Sequence, residues 1–275
     1  MKLGWLSDVH LNFLGASARL RFFEDLSQHE VDGWLLSGDI GEAESIVSYL
    51  KEFENFLPVR IYFVLGNHDF YRGSIAKVRA DVRLLSSRSE QLVWLTDTDC
   101  IEIDNRVGIV GDDGWSDGRL GNATDTPIEL NDFYLIEELA GHERSELVQR
   151  LNQLGDEAAE RLRKKLNDAA SRYANLVVVT HPPPFEGATW HQGTTSSPDW
   201  LPWFSCAAVG EVIMDSARAY PETHFLVLCG HTHSSGRHTA NSNVIVHTAQ
   251  AEYGQPAPQA AIEFGDDDKL RVIYQ

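Results

Sequence analysis

VRIYFVLGNHD, residues 59–69, is an apolar run that stops at Gly66 and is followed by an amide, an imidazole and a carboxyl. Rich in Val, Ile, Tyr and Phe, it predicts a buried strand, and the glycine marks a sharp turn out of the core. The same form recurs along the chain. KLGWLSDVH (2–10) ends in Asp8 and His10, and GWLLSGDI (33–40) carries Asp39 at its end. LVVVTHPPP (176–184) reaches His181 and then three prolines that cannot continue a ladder; FLVLCGHTH (225–233) ends in His231 and His233. Side chains at i and i+2 of an extended segment point to the same side, so Asp8 and His10 are expected to face one another or one shared partner. That pair alone leaves a hydrogen bond and a common metal ion equally open.

Between these strands the apolar spacing predicts helices over 16–28, 43–56, 75–87, 143–173 and 207–219. The fourth carries a stripe of Leu147, Leu151, Leu154, Ala158, Leu162 and Leu166, read as a face packed on the core. Strand–helix alternation predicts an α/β fold around a largely parallel sheet buried on both faces. In such sheets ligands bind beyond the carboxyl ends of the strands, so the Asp, Asn and His termini are expected to meet at one edge. Together they predict a metal site. Residues 111–132, dense in Gly, Asp, Asn and Thr, read as a loop insertion in a single domain spanning 1–275. Residues 185–206 carry Trp190, Trp200 and Trp203 and read as a cap over the site or a packed lid. Near the end, QAAIEFG and KLRVIY are expected to pair as a hairpin through 265–268.

The net charge is −18, from 23 basic and 41 acidic residues. Such a surface repels phosphate backbones, which argues against duplex nucleic acid and anionic membranes as partners. A small anionic substrate would need local positive charge, and bound metal ions supply it. No apolar stretch approaches the roughly 20 residues of a membrane span. Cys100, Cys206 and Cys229 are far apart and form no CxxC motif, as expected of reduced thiols in the cytoplasm.

Read in order, Asp8-Val9-His10, Gly38-Asp39, Gly66-Asn67-His68-Asp69, His181 and Gly230-His231-Thr232-His233 resemble the motif blocks of the calcineurin-like metallophosphoesterases. The resemblance covers residues 3–250 and implies a four-layer α/β/β/α sandwich of two mixed sheets flanked by helices, with a dinuclear metal centre. By it, Asp8, His10, Asp39 and His233 hold one ion, and Asp39, Asn67, His181 and His231 the other. Mixed nitrogen and oxygen donors suit divalent or mixed-valence Mn, Fe, Zn, Ni or Co. Two cations bridged by a carboxylate lower the pKa of a shared water, so a metal-bridging hydroxide is the expected nucleophile. The resemblance makes His68 a phosphate binder and general acid, with Asp69 as its orienter or as a supporting residue behind it.

Relatives that act on phosphoproteins carry an arginine soon after the second block, and GDIGEAES (38–45) has none. The expected substrate is therefore a small phosphodiester or nucleotide-like ester, with a phosphomonoesterase or protein phosphatase as the alternative, and a non-catalytic scaffold as the outlier. Trp115, Arg119, His191 and His247 are the candidates for lining a substrate pocket.

Overall fold

Successive residues of the first strand, β1 (Lys2–Leu6), serve two different cores: Leu3 and Trp5 point one way, Leu6 the other. That alternation, repeated in the central strands, builds the architecture. The computed structural model describes residues 1–265 and 270–274 of the chain. β1 lies beside β2 (Gly33–Ser37), β3 (Arg60–Val64) and β4 (Leu92–Trp94), all parallel. The chain then crosses to a second sheet. There β5 (Ile101–Asp104) pairs antiparallel with β6 (Val107–Gly111), which runs parallel to β7 (Asn175–Val179).

A short hairpin, β8 (Trp190–His191) and β9 (Thr194–Thr195), precedes β10 (His224–Cys229), β11 (Gly236–Asn241) and β12 (Val244–Thr248) of the same second sheet. The chain returns to the first sheet with β13 (Ala260–Phe264) and β14 (Leu270–Tyr274), which pair antiparallel from Ala260↔Tyr274 to Phe264↔Leu270. Of the turn expected between them at 265–268, residues 266–268 lie outside the described residues. The sheet orders are β14-β13-β1-β2-β3-β4 and β11-β12-β10-β7-β6-β5.

The two mixed six-stranded sheets face each other across Leu3, Trp5, Leu35 and Val64 on one side and Ile109, Val177, Val179 and Leu228 on the other. The outer face of the first sheet is covered by α1 (Ala16–Leu26), α2 (Ile46–Phe56) and α3 (Ile75–Ser86), through Phe23, Leu50, Phe53 and Val82. After the single turn α4 (Asp132–Leu135), the long helix α5 (Arg144–Ala169) follows. It covers the second sheet together with α7 (Ala207–Ala219), which the short α6 (Leu201–Phe204) precedes. The fold is thus α/β in four layers, α/β/β/α. Strand–helix alternation alone predicts one parallel sheet; two docked sheets satisfy the same local pattern. The apolar stripe of α5 divides: Leu147 and Leu151 join the core of the first sheet, while Ala158, Leu162 and Leu166 join that of the second. Lys165 breaks the stripe from inside, donating to the carbonyls of Leu95 (2.5 Å), Thr96 (2.9 Å) and Gly111 (2.8 Å).

Residues 111–132 are held by buried carboxylates. Asp112 takes a two-pronged ion pair from Arg161 (2.7 and 2.9 Å), and Asp113 accepts from Leu65 N, Trp94 Nε1 and Thr96 Oγ1. Residues 185–206 are equally fastened. Trp203 is fully buried, donates to the Ile128 carbonyl (3.1 Å) and carries the Arg144 guanidinium over its ring.

Candidate metal centre

The polar termini of β1, β2, β3, β7 and β10 meet where the carboxyl ends of the two sheets adjoin. Backbone bonds continue past the strand ends and align the first two loops: Asp8 N donates to Gly38 O (3.0 Å), His10 N to Asp39 O (3.0 Å) and Leu11 N to Ile40 O (2.9 Å). The side chains converge by a route other than the extended geometry expected of Asp8 and His10. Asp8 (φ 49), His10 (φ 40), Asp39 (φ 53), His231 (φ 72) and His233 (φ 56) all adopt left-handed backbone. Arg72 and Gln192 are the other such non-glycine residues described. Left-handed residues cost on the order of 1–3 kcal/mol each and cluster at functional sites. Asp and His tolerate that region better than most residues, so the donor types and the turns suit one another.

Two groups of donors result. In the first, His10 Nε2 stands 3.1 Å from His233 Nε2 and 3.6 Å from Asp39 Oδ2, and His233 Nε2 stands 3.4 Å from Asp8 Oδ1. The ligand atoms of Asp8, His10, Asp39 and His233 all lie within 4.8 Å of one another. In the second, Asn67 Oδ1 lies 2.9 Å from His231 Nδ1 and 3.1 Å from His181 Nε2, which is 3.3 Å from Asp39 Oδ1. Donors about 2.0–2.2 Å from a cation, at tetrahedral to octahedral angles, stand about 3.0–3.5 Å apart, so both groups fit a transition-metal ion. Each Asp39 oxygen faces one group.

Surrounding groups settle which atoms point inward. His181 Nδ1 donates to the Ser37 carbonyl (2.7 Å), and His231 Nε2 donates to the Trp203 carbonyl (2.8 Å), leaving His181 Nε2 and His231 Nδ1 for the site. Asn67 Nδ2 donates to Asp132 Oδ1 (2.9 Å), which turns its oxygen toward the imidazoles. Tyr71 donates to the same Asp132 oxygen (2.6 Å) and stacks on His68 with centroids 4.2 Å apart. A Cβ at Gly66 would collide with Asp39 Oδ1 and come 2.7 Å from His181 Cε1, and one at Gly230 would meet Asp8. At those two positions the glycines make room; only Gly38, at φ 95, also needs the left-handed turn.

Electrostatics match a cation site. Burial raises the Asp8 carboxyl, but His233 and His181 outweigh it and hold the group down at about 2. Burial lowers the His181 imidazole, yet the Asp39 charge prevails and lifts it to about 10. His10 and His231 are driven the other way, chiefly by burial, to about 3 and about 4, which keeps both imidazoles neutral, each with one ring nitrogen free to ligate.

The other expected residues fare differently. His68 stands at the mouth, 16% exposed in its side chain, with its ring 4.7 Å from His10 and its Nε2 4.0 Å from Asp39 Oδ2. Asp69 is not its orienter. The Asp69 carboxylate accepts from Ile40 N (2.8 Å), Gly41 N (2.7 Å) and Gly66 N (2.8 Å), fastening the loops after β2 and β3 to each other. Burial and the Asp39 charge push this carboxyl up to about 8. The N–H donors oppose that shift, and with both oxygens occupied as acceptors a proton there would face an N–H.

Trp115 is buried against Phe70 and borders a small cavity with Asn67, His181 and His231. Arg119, a candidate for lining the pocket, is engaged by Asp117 (3.2 Å) and Asp156 (2.8 Å). His247 is buried against the hydroxyl of Tyr274 and lines a separate cavity with Arg237 and Val272. His191 packs on Trp200 and Phe204, and Phe204 meets His231 edge-on at 5.4 Å, which puts His191 one layer out from the donors. Asp132, Tyr71 and Tyr253 escape sequence reasoning, because no motif marks them.

Comparison with known proteins follows the same lines. The family model for calcineurin-like phosphoesterases matches residues 1–235. No curated protein sequence matches the chain significantly. Among solved structures, a phosphopantetheinyl hydrolase from Mycobacterium tuberculosis is similar with a TM-score of 0.68 at 15% identity, over 92% of this chain and 89% of that one. A dimetal phosphatase from Danio rerio gives 0.60 at 15% identity, over 95% and 92% of the two chains. A Thermus thermophilus protein, TT1561, gives 0.57 at 11% identity, over 99% and 98%. The structural likenesses establish the shared fold, and the family model, matched over most of the length, places the chain in the calcineurin-like phosphoesterase family.

Proposed function

We propose that the chain hydrolyses a small phosphodiester or nucleotide-like phosphate ester with two transition-metal ions. Asp8, His10, Asp39 and His233 hold one, and Asp39, Asn67, His181 and His231 hold the other. The observation that carries this reading is the placement of Asp39, whose Oδ2 faces His10 and whose Oδ1 faces His181. Two such ions, when bound, lower the pKa of a shared water to give a nucleophile near neutral pH and neutralise charge developing on the phosphoryl oxygens. His68 takes no part in holding them. Its backbone N–H donates to Asp39 Oδ1 (2.9 Å), which ties its position to the bridging carboxylate. From the mouth its imidazole binds the phosphoryl group and gives a proton to the leaving oxygen.

The −18 charge supports a small substrate over duplex nucleic acid or an anionic membrane. Among the described residues no helix is long and apolar enough to cross a membrane. The three free cysteines support a cytoplasmic location. The test is turnover of aryl phosphate monoesters and diesters by metal-stripped protein reloaded separately with Mn, Ni, Zn or Fe, beside His68→Ala. Metal-dependent hydrolysis that falls by about 100-fold or more in the variant bears the reading out. No hydrolysis with any metal overturns it.

A further inference from the structure

Two exposed aromatic rings stand at the rim of the donor cluster. Phe13 lies just beyond the β1 loop and Tyr253 in a turn beyond β12, and their rings meet with centroids 4.6 Å apart. Tyr253 is also 4.6 Å from His10, 5.0 Å from His233 and 6.2 Å from His68, and Phe13 is 6.0 Å from His10. Other large aromatic side chains around the site, among them Phe70, Trp115, Phe133 and Trp203, are buried. Phe13 and Tyr253 instead remain 53% and 46% exposed. The turn that carries Tyr253 is closed by Gln255 N donating to Glu252 O (3.0 Å) and passes through Gly254 at φ 79, beside which no neighbour lies within 4 Å of a built Cβ. The ring is therefore presented by its turn, packed against Phe13 and the imidazoles on its inner side and open to solvent on the rest.

We infer, resting on the phosphoesterase reading, that Phe13 and Tyr253 form a stacking ledge that selects phosphate esters carrying a flat aromatic ring, nucleotides above all, over alkyl and sugar phosphates. Every nucleobase has a π-face, and stacking on an aromatic side chain needs no cation. That suits this rim. Arg72, in the loop after β3, is paired with Glu42, and the chain as a whole is strongly acidic, so recognition of the substrate outside the phosphoryl group rests on stacking. The ledge touches His10 and His233 of the first donor group, so a base on it places its phosphoryl group beside Asp39 without crossing the fold.

The test separates the ledge from the hydrolytic reading by measuring equilibrium binding. Adenosine 5′-monophosphate and ribose 5-phosphate share the phosphate and the sugar and differ in the base. Calorimetric titration of metal-loaded protein with the non-hydrolysable methylenephosphonate analogue of each is expected to show the nucleotide analogue about tenfold tighter. The ratio should fall to about one in Phe13→Ala and Tyr253→Ala and be retained in Tyr253→Phe, with metal content measured in each variant. Equal affinity of the two ligands in the unmodified protein, no binding of either, or a loss in Tyr253→Ala that weakens both ligands alike overturns the inference. The base preference without turnover of any ester leaves the ledge standing and rejects the hydrolase. Turnover without the preference does the reverse.

Discussion

Replacing Asp132 by alanine is expected to weaken one half of the metal centre and spare the other. Asp132 is 4% exposed, and its Oδ1 accepts from both Asn67 Nδ2 (2.9 Å) and the Tyr71 hydroxyl (2.6 Å). Burial and the Asp132 charge hold the Tyr71 phenol well above its usual range, so it remains a donor at any working pH. Truncation leaves two buried donors without their acceptor, at about 1–3 kcal/mol each. The Tyr71 oxygen lies 3.4 Å from Asn67 Nδ2 and recovers part of that loss. A net cost of about 2 kcal/mol lowers the melting temperature of the metal-stripped protein by roughly 3–4 °C. The larger effect is local. Released from Asp132, the Asn67 amide no longer keeps its oxygen aimed at His181 and His231, and loss of such an orienting partner costs about 10–100-fold in metal affinity.

Calorimetric titration with Mn or Zn should therefore show one site as in the unmodified protein and a second weakened to that degree. Asp132→Asn, which keeps a carbonyl oxygen in place, should restore most of both losses. Equal weakening of the two sites, or an unchanged second site in the alanine variant, would refute the orienting role.

Three further outcomes follow from the geometry. Asp69→Ala strips the acceptor from three backbone N–H groups and should destabilise the metal-free protein by about 3 kcal/mol or more in urea unfolding; normal stability with impaired turnover would reinstate Asp69 as a partner of His68. Gly66→Ala drives a methyl group into Asp39, and overpacking of this kind costs about 1–3 kcal/mol. Because Asp39 serves both donor groups, affinity should drop at both metal sites, and a loss confined to one would show that Asp39 does not bridge. Burial, aided by the Arg237 charge, lowers His247 to about 4. Its folded value then lies below the unfolded value of about 6.5, so the stability it contributes is complete above pH 6.5 and is lost as pH falls toward 4. The slope over that window is at most about 1.4 kcal/mol per pH unit, and His247→Gln should remove it; superimposable pH–stability curves for the two proteins would contradict this.

The linear sequence by itself determined the donor types and the strands that deliver them. Asn67 after VRIYFVLG, His181 before three prolines and His231 after FLVLCG are legible because strand patterning, glycine breaks and proline stops act over a few residues. Only the tertiary structure decided what lies across the site. Two sheets rather than one, the carboxylate of Asp69 turned onto the loop backbone, Asp132 behind Asn67, Arg119 drawn to Asp156, and Tyr253 beside His10 all depend on how distant segments dock. Asp8 and His10 show the division most plainly. Their identities mark them as ligands in the sequence, but they converge through left-handed backbone that the pairing of their loop with the loop after β2 holds in place, not through the alternation of an extended strand. A residue's chemistry is local; its partner is chosen by packing that no single stretch of chain contains.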